Sequence, residues 1–223
     1  MLSAFFKSEF WRKKQIADYL HTSMHPKLQI GCGGNQLSGW LNTDVSIRRC
    51  KEGAMFLNAG ERFPLPDASM DFIFSEHLFE HLNFAQAVNM LKESYRVLKP
   101  SGVIRIATPN FDFLKDLYLA PETPLHKRYL EWSANGGGGG KPIPATPVYV
   151  INKFHTSWGH QIVYDEKTLS NLLKDCGFKN VRLCKMGESS HEELKGVERH
   201  GDVIPYDFCQ LETMVLEADK ASL

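Results

Sequence analysis

The chain has 223 residues; 26 Lys and Arg balance 26 Asp and Glu, and 43% of the residues are hydrophobic. This is globular composition of about one domain, not that of a disordered chain, and a formal charge of zero disfavours general binding to a nucleic-acid backbone. No apolar run approaches the ~20 residues of a membrane span, and no apolar leader with a small-residue cleavage site opens the chain. The five cysteines, Cys32, Cys50, Cys176, Cys184 and Cys209, are scattered and never spaced as CxxC, which argues against a disulfide framework and a cysteine zinc site and predicts a reducing compartment.

Residues 1–26 mix Phe5, Phe6, Phe10, Trp11, Ile16, Tyr19 and Leu20 with Lys7, Arg12, Lys13 and Lys14. One or two helices ending before Pro26 are expected. Packing on the main domain is favoured over weak contact with a membrane surface through residues 5–20. From residue 27 short apolar runs alternate with turns. Lys27–Gly31, Trp40–Val45, Ala54–Asn58 and Met70–Ser75 read as strands. A helix is expected over Asn83–Leu98, with Phe84, Val88, Leu91, Tyr95 and Leu98 as its buried face, Asn83 as its cap and Gln86 bonding back to it. Pro100-Ser101-Gly102 stops it, and Val103–Ala107 follows as a strand. This rhythm implies crossover units and a mainly parallel sheet. Residues 110–164 interrupt it with two helical patterns, 111–119 and 122–134, and then five glycines, Gly136–Gly140, expected to form a mobile loop or hinge. A capped helix at Asp165–Cys176 and strands at Lys179–Met186 and Cys209–Ala218 complete the order.

The sharpest chemical signal is Leu28-Gln29-Ile30-Gly31-Cys32-Gly33-Gly34, followed by Leu41-Asn42-Thr43-Asp44. Glycines after a first parallel strand admit a ligand close to the backbone, and a carboxylate ending the next strand can accept hydrogen bonds from both ribose hydroxyls. The pattern GxGxxG fails, because position 36 is Gln, and the link to the second strand is short for a pyrophosphate-binding helix. A nucleoside without phosphates fits better.

A second signal is Phe63-Pro64-Leu65-Pro66-Asp67, then Ser69 and Asp71, a strand, and Ser75-Glu76-His77-Leu78-Phe79-Glu80-His81. Glycine loop, strand-end acid, "PLPD", strand, "EH", helix, "RVLKPSG" and strand, in that order, resemble the class I S-adenosylmethionine-dependent methyltransferases, in particular their type 11 branch. The resemblance covers residues 27–110 and resumes at Leu169–Phe178. It implies a Rossmann-like three-layer α/β/α sandwich whose mainly parallel seven-stranded sheet has its last strand antiparallel. The domain would occupy 27–223, after an N-terminal helical segment at 1–26. S-adenosyl-L-methionine would be the donor and S-adenosyl-L-homocysteine the product.

By position, the resemblance implies that Gly31, Cys32 and Gly33 wrap the methionine part, Asp44 holds the ribose, Asn58 and Ala59 flank the adenine, and Ser75 and Glu76 lie by the methyl. Asn58 departs from the acidic residue that relatives often carry there. His77 is the first candidate base, against the alternative that it only shapes the pocket. His155 is a second catalytic candidate, in an aromatic cluster with Trp158, His160 and Tyr164. The insertion at 111–164 reads either as a substrate lid or as a small satellite core. His81 is expected to cap or pack. The charged run Glu192, Glu193, Lys195, Glu198, Arg199 and His200 reads as a solvated connection.

The expected activity is methyl transfer to an unidentified small-molecule or macromolecular acceptor, in the cytoplasm. Two rivals remain: a non-catalytic donor-binding or partner protein on the same scaffold, and a zinc hydrolase through the H-x-x-E-H of His77, Glu80 and His81. No metal site is expected, and His155 and His160, five apart, make a poor helical ligand pair.

Overall fold

The computed structural model describes residues 6, 8–120 and 123–222. Phe5 and Lys7 of the N-terminal segment, and position 122 before the second insertion helix, lie outside the described residues. The elements are α1 (Glu9–Thr22), β1 (Lys27–Ile30), β2 (Leu41–Asp44), α2 (Ile47–Lys51), β3 (Met55–Phe56), β4 (Met70–Glu76), α3 (Phe84–Val97) and β5 (Leu98–Pro109). There follow α4 (Phe111–Leu119), α5 (Pro124–Ala134), α6 (Pro147–Thr156), α7 (Glu166–Asp175), β6 (Lys179–Cys184), α8 (Tyr206–Glu212) and β7 (Thr213–Asp219).

One seven-stranded sheet has the order β3-β2-β1-β4-β5-β7-β6. β3, β2, β1, β4 and β5 run parallel, while β7 pairs antiparallel with both β5 and β6. This is the expected sandwich. Its main core lies between the sheet and α1, α3 and α7, where Ile16, Leu28, Ile30, Ile73, Leu91, Ile104 and Leu173 are buried together. The opposite face carries Trp40, Phe74, Val103 and Val215 under Leu194 and Val197, so the crossing after β6, with its short 3-10 turn at Glu192–Leu194, covers it.

Local chemistry explains the boundaries. Asn83 caps α3 by accepting from the Gln86 N–H at 3.0 Å, and Gln86 accepts from the Asn83 N–H at 3.1 Å. Lys220 Nζ donates to the carbonyls of Tyr95 and Leu98, both at 2.7 Å, and so closes the other end of α3. The buried face of α3 is Ala87, Met90, Leu91, Ser94 and Val97, turned from the expected stripe: Phe84 is 61% exposed in the first turn. Arg96 donates to the carbonyls of Phe63 and Leu65 and to Asp67, which fixes the Pro-Leu-Pro turn before β4.

The segment expected as a strand from Cys209 begins as helix. Pro205 precedes α8, whose Phe208 and Cys209 are buried, and the chain extends only from Thr213. The insertion has its own core of Phe113, Leu117, Tyr129, Leu130, Val150 and Phe154, with Phe208 of α8 added. Its two ends meet at the sheet, where the Phe111 N–H donates to the Tyr164 carbonyl at 2.9 Å.

The charged run expected to be solvated is partly interior. Arg105, in the middle of β5 and 0% exposed, pairs with Glu198 at 2.5 Å and with its cross-strand neighbour Glu217 at 2.6 Å. It also donates to the Glu188 carbonyl, so the 185–200 crossing is held onto the sheet by one guanidinium. Burial works against ionisation of Glu217, but Ser189, Arg105 and Arg182 outweigh it and hold its pKa below the usual value. A carboxyl depressed on folding stabilises the native state above its unfolded pKa of about 4.3, and that contribution is lost as pH falls through the folded pKa. Urea unfolding should therefore show stability declining below about pH 4. Arg105→Met should cost about 3 kcal/mol or more at pH 7, by stripping buried Glu198 of its partner. A cost below about 1 kcal/mol would refute this role for the network.

Candidate active site

The site is built on the carboxyl ends of β1, β2 and β4, where the strand order reverses between β1 and β4. Gly31 leaves β1 at φ +71° and Gly33 turns at φ +52°. A side chain on Gly31 would meet Leu78 Cδ1 at 2.8 Å, while the space beside Gly33 is open. The Gly33 N–H donates to Asp44 Oδ2 at 2.9 Å and the Ser46 N–H to Asp44 Oδ1 at 2.7 Å. Glycine loop and strand-end carboxylate are thus joined directly. Each carboxylate oxygen keeps a lone pair for a further donor. The link from β1 to β2 forms no helix: Gln29, 2% exposed, donates to the Asn35 carbonyl and accepts from the Leu37 N–H, and Asn42 also binds Leu37. Burial, and next the Asp44 charge, push the Cys32 thiol up to about 12, so it is a packing residue.

Beyond β4 the backbone takes a left-handed step at His77, φ +46°, a strained conformation for a non-glycine residue. A single 3-10 turn follows at Phe79–His81. The α-helix that H-x-x-E-H requires is therefore missing, and His77 and His81 do not stand one α-turn apart on a helical face. His77 Nδ1 lies 3.3 Å from Glu80 Oε1, its Nε2 3.3 Å from Thr213 Oγ1, and its ring 3.9 Å from that of His200. Burial disfavours the imidazolium of His77, but the adjacent Glu80, then Glu212 and Glu76, outweigh it and raise its pKa. The Glu80 carboxylate is 0% exposed and accepts from Thr108 Oγ1 through Oε2 at 3.0 Å. Burial alone would raise the Glu80 pKa; the imidazoles of His77 and His81 and its own backbone lower it.

These residues floor a cavity of about 210 Å³ whose walls include Tyr129, Trp132, Phe154 and Trp158 from the insertion. His160 lies within it, with Nδ1 2.7 Å from the Phe154 carbonyl and its pKa lowered chiefly by burial. The glycine run forms part of the wall rather than a free loop. Trp158 Nε1 donates to the Gly138 carbonyl at 3.0 Å, and Lys153 Nζ to that of Gly137 at 2.7 Å. A side chain at Gly137 would collide with the Trp132 ring at 2.3 Å.

The structure brings together Gly31, Cys32, Gly33 and Asp44, with Leu78 of the post-β4 turn against Gly31. Ser75, at the end of β4, is wholly buried, and its Oγ has no hydrogen-bond partner among the described residues. Asn58 makes a local turn, accepting from the Gly60 N–H and donating to Glu61, and Ala59 is buried beside it. Two candidates are placed elsewhere. Glu76 accepts from the Arg199 and His200 N–H groups at 2.9–3.0 Å, so it clamps the crossing from below. His155 is exposed on α6, its ring 6.2 Å from Phe111, and does not line the cavity. His200 and Glu212 join the cavity without a mark in the sequence, while Glu80 enters it from the H-x-x-E-H alternative and His160 from the aromatic cluster of the insertion. The signal available for Glu80 was an acid between two histidines; the rest depend on contacts between distant segments.

Residues 28–106 match a family model described as a methyltransferase domain, Methyltransf_11. Over this segment the chain is similar to the methyltransferase domains of that family. A probable S-adenosylmethionine-dependent methyltransferase of Mycolicibacterium smegmatis is 40% identical over 67 residues, 30% of this chain and 25% of the relative. A probable S-adenosylmethionine-dependent methyltransferase of Mycobacterium tuberculosis is 32% identical over 142 residues, 63% of this chain and 38% of the relative. The chain thus spans well under half the length of these curated relatives. Among solved structures, a SAM-dependent methyltransferase from Archaeoglobus fulgidus aligns over 97% of each chain, with TM-score 0.50 and 18% identity. A phosphoethanolamine N-methyltransferase of Haemonchus contortus, in complex with phosphomonomethylethanolamine and S-adenosylhomocysteine, aligns over 95% of this chain and 52% of its own, with TM-score 0.52 and 14% identity. The methyltransferase fold therefore extends beyond the matched segment to nearly the whole chain. No described helix is long and apolar enough to cross a membrane.

The Glu76 clamp predicts a local effect. Glu76→Gln should speed amide hydrogen exchange at 198–204 by roughly tenfold or more, because bonds to a charged acceptor contribute about 1.5–3 kcal/mol, and should leave α3 protected. Unchanged exchange in 198–204 would show that the clamp carries no local stability.

Proposed function

We propose that the protein binds S-adenosylmethionine at the Gly31–Gly33 turn and transfers its methyl group to an acceptor seated in the aromatic cavity. One observation supports this most: the glycine turn and the Asp44 carboxylate are in direct contact, with open space beside Gly33, at the reversal of strand order. The two backbone N–H groups hold the Asp44 carboxylate in one orientation, with lone pairs left for the two hydroxyls of a ribose. Gly31, Cys32 and Gly33 would hold the methionine part, and Asn58, Ala59 and Ser75 the remaining rim.

When bound, the donor supplies a methyl group on a positively charged sulfur. The chain's own task is then alignment: Leu78 and the His77 turn fix the boundary between donor turn and acceptor cavity, and the aromatic walls exclude water and orient the acceptor. For an acceptor that carries a proton, His77 is the base, and the charge of the Glu80 carboxylate 3.3 Å from its Nδ1 favours the imidazolium that forms. In this reading residues 27–223 form the methyltransferase domain, the N-terminal segment 1–26 precedes it with its helix Glu9–Thr22 packed on the core through Ile16, and 111–164 is the acceptor lid. A cytoplasmic setting suits the free cysteines.

Titration calorimetry with S-adenosylmethionine and S-adenosylhomocysteine tests donor binding. Asp44→Asn should weaken it roughly 10- to 100-fold, as expected for charged hydrogen bonds of about 1.5–3 kcal/mol, and an unchanged affinity would place the ribose elsewhere. Transfer of labelled methyl to metabolite and macromolecule pools tests turnover. His77→Ala should lower kcat much more than donor affinity. Tight donor binding without transfer to any pool would favour the non-catalytic alternative.

A further inference from the structure

Glu80 Oε1 is buried and has no hydrogen-bond partner among the described residues, although its carboxylate is wholly shielded from solvent. Three imidazoles face it: His77 Nδ1 at 3.3 Å, outside hydrogen-bond geometry, and His81 Nε2 and His160 Nε2 each at 4.0 Å. The last two come from different segments, the turn after β4 and the end of the insertion. One ligand atom from each of Glu80, His81 and His160 falls within a 4.8 Å span. We propose that Glu80, His81 and His160 form a binding site for a divalent transition-metal cation on the floor of the cavity.

The tautomer of His160 fits this. A carbonyl oxygen only accepts, so the 2.7 Å contact with Phe154 places the proton on Nδ1 and leaves the Nε2 lone pair facing Glu80. Glu80 is held through its other oxygen by Thr108 and flanked by His77. Ligands oriented by outer partners in this way are typical of metal sites. A point equidistant from three atoms within that span lies at most about 2.8 Å from each, so inward shifts of about 0.7 Å would reach zinc–nitrogen and zinc–oxygen distances of ~2.0–2.2 Å. Two histidines and one carboxylate on one side of a cation leave coordination positions open. Trp132 and Trp158 line the same cavity. On the reading of this cavity as the acceptor pocket, those positions take an oxygen of the acceptor, a hydroxyl or a carboxylate. The site differs from the H-x-x-E-H arrangement, since His160 replaces His77 as ligand and no helix presents the pair.

The test is titration of the chelator-stripped full chain with Co²⁺, followed by visible absorption, together with metal analysis of the protein as purified. One equivalent should bind with saturable ligand-field bands, and Zn²⁺ should displace it. His160→Ala and His81→Gln should each weaken binding at least tenfold, while His155→Ala, at an exposed histidine outside the cavity, should bind as the unaltered chain does. Absence of a saturable one-equivalent spectrum in the unaltered chain would overturn the site, as would both ligand variants binding cobalt unchanged. His81 is partly exposed, so its variant serves if His160→Ala does not fold. Donor calorimetry on the same samples separates the two readings: donor binding without cobalt binding rejects the metal site alone, and cobalt binding without donor binding rejects the proposed donor crevice alone.

Discussion

The buried carboxylate of Glu80 is the joint of the molecule's functional half. Its side chain accepts from Thr108 on β5 and lies against His77 at the end of β4. Its backbone carbonyl accepts from the N–H groups of Gln161 and Ile162, where the insertion returns to the sheet. One residue therefore connects two central strands with the segment that walls the cavity. A charge held in such a place is tolerated only with partners, and here the partners are imidazoles. His77, in its left-handed conformation, and His160, from the end of the insertion, both face it.

The parallel sheet sets where this joint falls. Because β1 sits between β2 and β4, the loops after β1 and β4 diverge to opposite sides and leave a crevice at their carboxyl ends. Gly31, Gly33 and Asp44, the proposed donor elements, lie on the β1–β2 side. The aromatic cavity lies on the β4–β5 side, under the insertion. Leu78, packed against Gly31, and His77, packed against His200, stand at the boundary. In the proposed reading the fold separates holding the donor, at the β1–β2 side, from shaping the acceptor site beneath the insertion.

The glycine turn and its contact with the strand-end acid were legible in the sequence because their information is local. A strand, a glycine turn and a second strand are neighbours in the chain, and the turn conformations demand glycine where glycine stands. The acceptor half was less legible because its contacts join distant segments. Glu76 ends a strand as a ligand-binding acid would, yet its acceptor oxygens are taken by backbone groups 123 and 124 residues away. Arg105 stands in the apolar strand Val103–Ala107, and nothing local shows that Glu198, in a run that looks solvated, would pair with it. His155 and His160 exchanged roles for a conformational reason. Trp158 and Gly159 both take positive φ, which turns the chain after α6 so that His160 enters the cavity and His155 stays outside.

The central claim is that donor and acceptor occupy adjoining crevices divided at His77 and Leu78. A crystal structure of the full chain grown with S-adenosylhomocysteine tests it most directly. The account predicts ribose hydroxyls bonded to Asp44, the amino-acid part along Gly31–Gly33, and the sulfur directed past Leu78 toward the cavity of Trp132, Phe154 and Trp158. An adenosyl group bound away from Asp44, or a sulfur facing away from His77, would contradict it.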